Sequence, residues 1–217
     1  MGSPESEPQR ENNETRHHVT LSKGYWLGVT ACTQSLWKIV VGNNPSNFHD
    51  NENNPVERVS WNDAQEFLQI LNRMVFDLNA RLPTEAEWEY ACRAGTITPF
   101  SFGGNITPDQ ANYAGTNPYW AGEKGLYRQK TAPVKSLPAN PWGLHEIHGN
   151  VWEWCHDWFG DYPLDSVTDP KCFDLGVGRI IRGGSWYNHG KLVRSAYRAG
   201  RNPADRNKGI GFRFVID

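Results

Sequence analysis

The stretch Gly149-Asn150-Val151-Trp152-Glu153-Trp154 decides the fold of this chain, together with two landmarks that follow it. The first landmark is Arg182-Gly183-Gly184-Ser185-Trp186, and the second is Gly211-Phe212-Arg213, close to the end. Upstream, residues 81–90 read Arg-Leu-Pro-Thr-Glu-Ala-Glu-Trp-Glu-Tyr. The chain contains 10 Trp, 21 Gly and 14 Pro. This composition predicts a loop-rich fold whose core consists of large aromatic side chains, because each of them buries much area.

Length and charge limit the possible classes of protein. A chain of 217 residues suits one domain with long loops, spanning residues 1–217. Its formal net charge of -2 gives no electrostatic footprint for nucleic acid or an anionic membrane. No apolar run reaches the roughly 18 residues that cross a bilayer, and no signal peptide opens the chain. We therefore expect neither nucleic-acid binding nor membrane insertion, and the sequence leaves the cellular location open.

The quoted motifs resemble the formylglycine-generating-enzyme and sulfatase-modifying-factor family along the whole of residues 1–217. The resemblance implies an α+β domain with a C-type-lectin-like fold, rich in loops. In this family a segment like Met1-Gly2-Ser3-Pro4 commonly lies inside a longer chain. Both alternatives, a complete protein and a domain excised from a longer one, therefore stay open.

Two main helices have readable starts. Ser60 with Asp63, and Thr84 with Glu87, have the spacing of an N-cap residue and its capping partner. Apolar residues follow each start at helical spacing, and Gly95 is placed to end the second helix. The predicted helices span residues 61–73 and 85–94.

Short mixed and antiparallel strands are predicted elsewhere, where β-branched and aromatic residues cluster. Residues 96–141 show neither strand nor helix periodicity, so we predict a long irregular segment there. The predicted strands are a first pair near 19–21 and 25–29, followed by 151–155, 179–182, 193–198 and 212–216.

The cysteines argue against the oxidase chemistry of the resembled family. Its enzymes oxidise a substrate cysteine with copper held by two cysteines, and the matching positions here are Asn188 and Val193. Neither side chain can supply the soft thiolate that cuprous ion prefers. We therefore expect no copper. The four cysteines are expected to be buried free thiols, although a disulfide stays open; they are Cys32, Cys92, Cys155 and Cys172.

The resemblance also implies a structural calcium ion. The family's ligands match Glu146, Gly149, Val151 and Glu153, which combine two carboxylates with two backbone carbonyls. Oxygen ligands of this kind suit calcium. The alternative is that Glu153 accepts hydrogen bonds from backbone amides or pairs with an arginine.

Residues 186–209 mix aromatic, polar and small side chains without a core period. Most of these residue types can arise from an asparagine codon by changes at its adenines, which is similar to the variable proteins of diversity-generating retroelements. Tyrosine gives large contact area at low entropic cost, and small polar residues adapt to a partner. The candidate ligand-binding residues are Trp186, Tyr187, Asn188, His189, Lys191, Tyr197, Ala199, Arg201 and Asp205.

The sequence therefore favours a non-catalytic module that binds a protein or another macromolecule through residues 186–209. The alternatives are a solvated loop pair beside the active-site cleft that the resemblance implies, and an oxidase-like or sulfatase-modifying enzyme with a changed active site. The basic residues of the segment favour an acidic partner, although Arg194 and Arg198 are placed to pair inward with acidic helix ends.

Overall fold

The computed structural model describes residues 1–172, 176 and 178–217. The helices are α1 (Gln34–Val41), α2 (Trp61–Met74) and α3 (Glu85–Arg93), with a 3-10 helix at Gly190–Val193. The strands are β1 (Val19–Thr20), β2 (Trp26–Leu27), β3 (Ala80–Arg81), β4 (Trp152–Trp158), β5 (Val167–Thr168), β6 (Arg179–Arg182), β7 (Arg198–Arg201), β8 (Ile210–Gly211) and β9 (Val215–Ile216).

Both predicted helices are confirmed, and their capping boxes are complete. The Asp63 backbone N–H donates to Ser60 Oγ at 3.1 Å, and the Ser60 N–H donates back to Asp63 Oδ2 at 2.8 Å. Thr84 and Glu87 repeat the arrangement at 3.2 and 2.7 Å. Each box satisfies two backbone donors that the first helical turn leaves without partners.

The helix α1 lies in a region where the sequence analysis predicted none. Thr33 caps its start by accepting a hydrogen bond from the Leu36 N–H at 3.2 Å, and Gly42 ends it with φ of 88°. Its buried face includes Trp37, whose ring stacks on Phe67 of α2 at 5.3 Å. A helix of only eight residues gives little periodicity, and its stability comes from this packing.

The strands form three small sheets. The largest has the order β7-β6-β4-β8, in which only the β4–β8 pair is parallel. A second sheet has the antiparallel order β2-β9-β3, and β1 pairs in parallel with β5. The predicted pairing of the first two strands is therefore wrong, because each pairs with a strand from the C-terminal part of the chain. The predicted strand at 193–198 is also wrong, since a 3-10 helix precedes this stretch and β7 begins at Arg198.

The stretch 149–154 joins the loops to the largest sheet. Gly149 has φ of 83°, and a Cβ placed on it would lie 2.3 Å from the Asn112 carbonyl oxygen, so only glycine fits. Asn150 exchanges side-chain hydrogen bonds with the Ala132 backbone at 2.8 and 3.0 Å. The irregular segment predicted at 96–141 is confirmed, because it contains no helix or strand among the described elements, and these bonds attach it to β4.

Residues 1–18 lie against the first half of the segment 186–209 through a buried ionic group. The Arg194 guanidinium is fully buried and pairs with Glu7 at 2.5 Å and Glu14 at 2.6 Å. Arg198 pairs with Glu85 at the start of α3, at 2.7 Å. The inward pairing predicted for these two arginines is confirmed, although only Arg198 pairs with a helix end.

Candidate functional site

Three of the candidate ligand-binding residues meet at one small cavity. Tyr187, Arg201 and Asp205 line a cavity of about 140 Å³, whose remaining lining residues are Trp152, Arg206, Asn207 and Ile210. We call it the Tyr187 cavity. It lies over the largest sheet, because Trp152 begins β4, Arg201 ends β7 and Ile210 begins β8.

The floor of the Tyr187 cavity is apolar and its rim is polar. Trp152 and Ile210 are buried, and the Trp152 ring contacts Tyr197, a further candidate residue, at 6.0 Å. The Tyr187 hydroxyl donates to Asn207 Oδ1 at 2.9 Å, which fixes the ring beside the floor. Burial raises the pKa of the Tyr187 hydroxyl, so it stays protonated and can donate at neutral pH.

Charge on the rim is only partly neutralised. Arg206 forms a two-bond pair with Asp63, at 2.6 and 2.7 Å. The guanidinium of Arg201 makes neither a hydrogen bond nor a salt bridge to any part of the chain that the structure describes. Arg201 is also exposed, so it can donate to a ligand without breaking an internal contact.

Trp186 lies beneath the candidate face rather than on it. The residue is 4% exposed, and its indole N–H donates to the Lys208 carbonyl oxygen at 3.1 Å. Its ring contacts Tyr187 edge-to-face at 5.0 Å and Phe48 at 5.4 Å. Trp186 therefore packs beneath Tyr187. Because it is almost fully buried, it has almost no accessible area for a ligand.

The other candidate residues lie outside the lining of the Tyr187 cavity. Asn188 Oδ1 accepts hydrogen bonds from the Ser185 N–H at 2.9 Å and hydroxyl at 2.6 Å. Lys191 pairs with Glu11 at 2.5 Å. His189 is exposed just before the 3-10 helix, and Ala199 is half-buried in β7. Ligand contact by these four residues stays a prediction.

The two positions that match the copper-binding cysteines do not fit a copper ion. Val193 is completely buried in an apolar cluster with Phe100 and Tyr119, and the Asn188 side chain is held by Ser185. Cys32, Cys92 and Cys155 are free thiols, whereas Cys172 is half-buried rather than buried as expected. Cys32, Cys92 and Cys155 are buried, and burial raises the pKa of the Cys92 thiol to about 12. A protonated buried thiol is a poor ligand for a metal.

The segment predicted to hold calcium uses its carboxylates for internal hydrogen bonds. Glu146 accepts the backbone N–H groups of Lys135 and Leu137 at 3.0 and 3.1 Å. Both oxygens of Glu153 accept from Arg213 at 2.7 Å, and Glu153 Oε2 also accepts from the Trp88 indole at 2.6 Å. All four carboxylate oxygens therefore have donors. A calcium ion held by both side chains and by the carbonyls of Gly149 and Val151 would have to compete with these donors.

We expect calcium removal to leave thermal stability unchanged, because a guanidinium already neutralises Glu153. The measurement is the unfolding temperature in EGTA and in excess calcium. A lower value in EGTA, restored by calcium but not by magnesium, would show that the ion binds and displaces the contacts described above.

Comparisons with known proteins agree with this fold. The sulfatase-modifying factor enzyme 1-like domain model matches residues 1–217. Among curated proteins, the formylglycine-generating enzyme of Mus musculus is 35% identical over 211 residues, covering 93% of this chain and 53% of that protein. The chain therefore spans about half the length of the curated relatives it matches.

Two solved structures are similar over the full chain. Treponema denticola variable protein 1 has a TM-score of 0.83 at 29% identity, covering 100% of this chain and 93% of that one. PvdO from Pseudomonas aeruginosa has a TM-score of 0.84 at 27% identity, covering 100% and 90%. The fold is the loop-rich, C-type-lectin-like α+β fold that the sequence motifs predicted.

Proposed function

The chain belongs to the sulfatase-modifying factor enzyme 1-like family, and from this membership we propose that it is a non-catalytic member that binds a macromolecular ligand. Its binding face is centred on the Tyr187 cavity. The observation that carries this proposal is the exposed Arg201, which has no partner among the described residues and lies beside an apolar floor in a segment whose other arginines are neutralised.

The residues beneath the face are buried and held by hydrogen bonds, which supports a fixed scaffold. Trp186, Arg194 and Arg198 are buried and make multiple hydrogen bonds, whereas Tyr187 is half-buried and Arg201 is exposed. Recognition by a few accessible side chains on fixed backbone keeps the entropic cost of binding low. Similarity to a structure named as a variable protein supports an interpretation in which these accessible positions differ between copies.

The charges favour an acidic patch on the ligand. Arg194 and Arg198 are paired internally, and Lys191 and Arg206 pair with Glu11 and Asp63. Arg201 is left to contact a partner, whereas the exposed Lys208 ammonium lies over the Trp186 ring at 5.2 Å. A carboxylate bound in the Tyr187 cavity would share its lining with both Arg201 and Tyr187. Asp205 on the same rim would repel a second negative charge on the ligand. The face therefore suits a single acidic group flanked by neutral side chains.

Peptides selected on the wild-type chain from a displayed random library are expected to lose affinity about tenfold or more on a Tyr187→Ala/Arg201→Ala variant, because aromatic and arginine contacts dominate binding energy. The measurement is the dissociation constant of the enriched peptides for each variant. Phe76→Ala is the matched control, since Phe76 is 98% exposed and lies away from the cavity lining.

Thermal unfolding of each variant shows whether an affinity change reflects folding, because Tyr187 packs on Trp186. Peptides that bind the double variant as tightly as the wild type would place the binding face elsewhere. Conversion of a cysteine-containing peptide to an aldehyde with added copper would instead show the enzymatic activity of the family and contradict the proposal.

A further inference from the structure

A second cavity lies beside the sheet β2-β9-β3, and it has a volume of about 620 Å³. Three exposed aromatic side chains line it: Trp26 is 79%, Tyr90 55% and Trp142 47% exposed. We call it the Trp142 cavity. Large apolar side chains gathered at one exposed place mark interaction sites more often than scattered ones do.

The aromatic walls of the Trp142 cavity come from three separate parts of the chain. Trp26 lies in the edge strand β2, and Tyr90 lies on α3. Trp142 lies in a turn whose backbone is held by Asn140 Oδ1, which accepts the Trp142 N–H at 3.0 Å. The Tyr90 and Trp142 rings pack edge-to-face at 4.9 Å. Tyr90 and Trp142 are therefore positioned against each other without a ligand, which lowers the entropic cost of binding one.

The polar groups at this cavity are mostly donors. Lys23 is its only charged lining residue in the part of the chain that the structure describes, and it makes no salt bridge there. The indole N–H groups of Trp26 and Trp142 likewise make no hydrogen bond to any described residue. The Tyr25 hydroxyl is already used, since it donates to the Glu87 carbonyl oxygen at 2.7 Å.

Lys23 lies where the Trp142 cavity meets a smaller polar cavity, because it lines both. The carboxylates of the smaller cavity have other partners. Asp217 pairs with Arg81 at 2.6 Å, and Asp169 accepts the Ser22 N–H at 2.8 Å. Lys23 also attracts the Asp169 and Asp217 carboxylates electrostatically, but its ammonium group forms no salt bridge with a described residue and stands at one end of the aromatic cavity.

We propose that the Trp142 cavity binds a small aromatic or acyl acid. Its flat apolar body would lie against Trp26, Tyr90 and Trp142, and its carboxylate or sulfonate would accept from Lys23. The volume lies within the range of small-molecule sites, about 300–1,000 Å³. The donors and the Lys23 cation favour an anionic ligand over a cationic one, which would meet no carboxylate among the described lining residues. None of the lining residues belongs to 186–209, so this site is independent of the proposed function.

Fluorescence titration with 8-anilinonaphthalene-1-sulfonate tests the site, with N-phenyl-1-naphthylamine as the matched probe that lacks the sulfonate. The wild-type chain is expected to bind the sulfonate saturably at one site. Trp142→Ala and Trp26→Ala are each expected to weaken binding of both probes by about tenfold. Lys23→Glu is expected to weaken binding of the sulfonate probe by a similar factor and to leave binding of N-phenyl-1-naphthylamine unchanged.

Trp120→Ala is the control, because Trp120 is 65% exposed but does not line this cavity. Trp26 is the more exposed of the two walls, so its variant keeps the test valid if Trp142→Ala unfolds. The proposal is overturned if Lys23→Glu weakens both probes equally or neither, or if the tryptophan variants bind like the wild type. It is also overturned if sedimentation shows a dimer that Trp26→Ala dissociates, since a second copy would then occupy the cavity.

Discussion

Replacement of Arg213 by methionine is expected to destabilise the fold by about 3–5 kcal/mol, because it leaves the Glu153 carboxylate buried without its counter-charge. The Glu153 and Arg213 side chains are 1% and 0% exposed, and two bonds of 2.7 Å join them. Arg213 also donates to the carbonyl oxygens of Gly28 and His145, both at 3.0 Å. One side chain thus connects β4 to two loops. The measurement is the free energy of unfolding in urea.

Arg206→Met provides a matched control for this prediction. Arg206 makes the same two-bond contact to a carboxylate, Asp63, but its side chain is 57% exposed. Water solvates both charges when the pair is lost, so the expected cost is about 1 kcal/mol or less. Equal losses in the two variants would show that burial of the Glu153–Arg213 pair is not what makes it important.

Replacement of Arg194 by methionine is the second large effect that we expect, again about 3–5 kcal/mol at neutral pH. Glu7 and Glu14 would then face each other in the interior without a cation. Burial already raises the pKa of Glu7 in the wild-type chain, although Arg194 opposes this. Loss of the guanidinium removes that opposition, so the folded-state pKa of Glu7 should rise further.

The sign of the pH dependence follows from proton binding. A carboxyl whose pKa is higher in the folded than in the unfolded state binds protons more tightly when folded, so acid favours folding at that group. The deficit of Arg194→Met should therefore be smaller near about pH 5 than near about pH 8. Urea unfolding at both values measures it, and Lys191→Met, which loses only the exposed pair with Glu11, serves as control. A deficit that is constant with pH would show that the loss comes from packing rather than from unpaired carboxylates.

Local features of this fold could be predicted from sequence, and contacts between distant segments could not. The Ser60 and Thr84 capping boxes connect residues only three positions apart, so their motifs were sufficient. The first strands were recognised from composition, but their partners lie near the other end of the chain. The helix α1 was missed because it is short and depends on the stack of Trp37 on Phe67.

In the candidate site, too, the residue types could be predicted from sequence but the contacts between distant segments could not. Tyr187 and Arg201 were singled out by residue type, yet the cavity between them depends on the order of β7, β4 and β8 in the sheet. Trp186 has the residue type of a binding contact, but its ring is buried. The chain turns just before this residue, where Gly183 and Gly184 both have positive φ. The Trp142 cavity was missed because its aromatic residues are far apart in sequence; only their joint exposure reveals it.

The most direct test of a binding face at residues 186–209 is to sequence the encoding gene and the genes beside it across many isolates. A binding face on a fixed scaffold predicts substitutions at exposed or half-buried positions such as Tyr187, His189 and Arg201, with a near-identical template copy and a reverse transcriptase nearby. Buried Trp186, Arg194 and Arg198 should stay unchanged. Substitutions that fall equally on the buried positions would contradict a binding face on this scaffold, and an invariant segment 186–209 without a template copy would contradict diversification and favour a fixed-ligand module or a divergent enzyme.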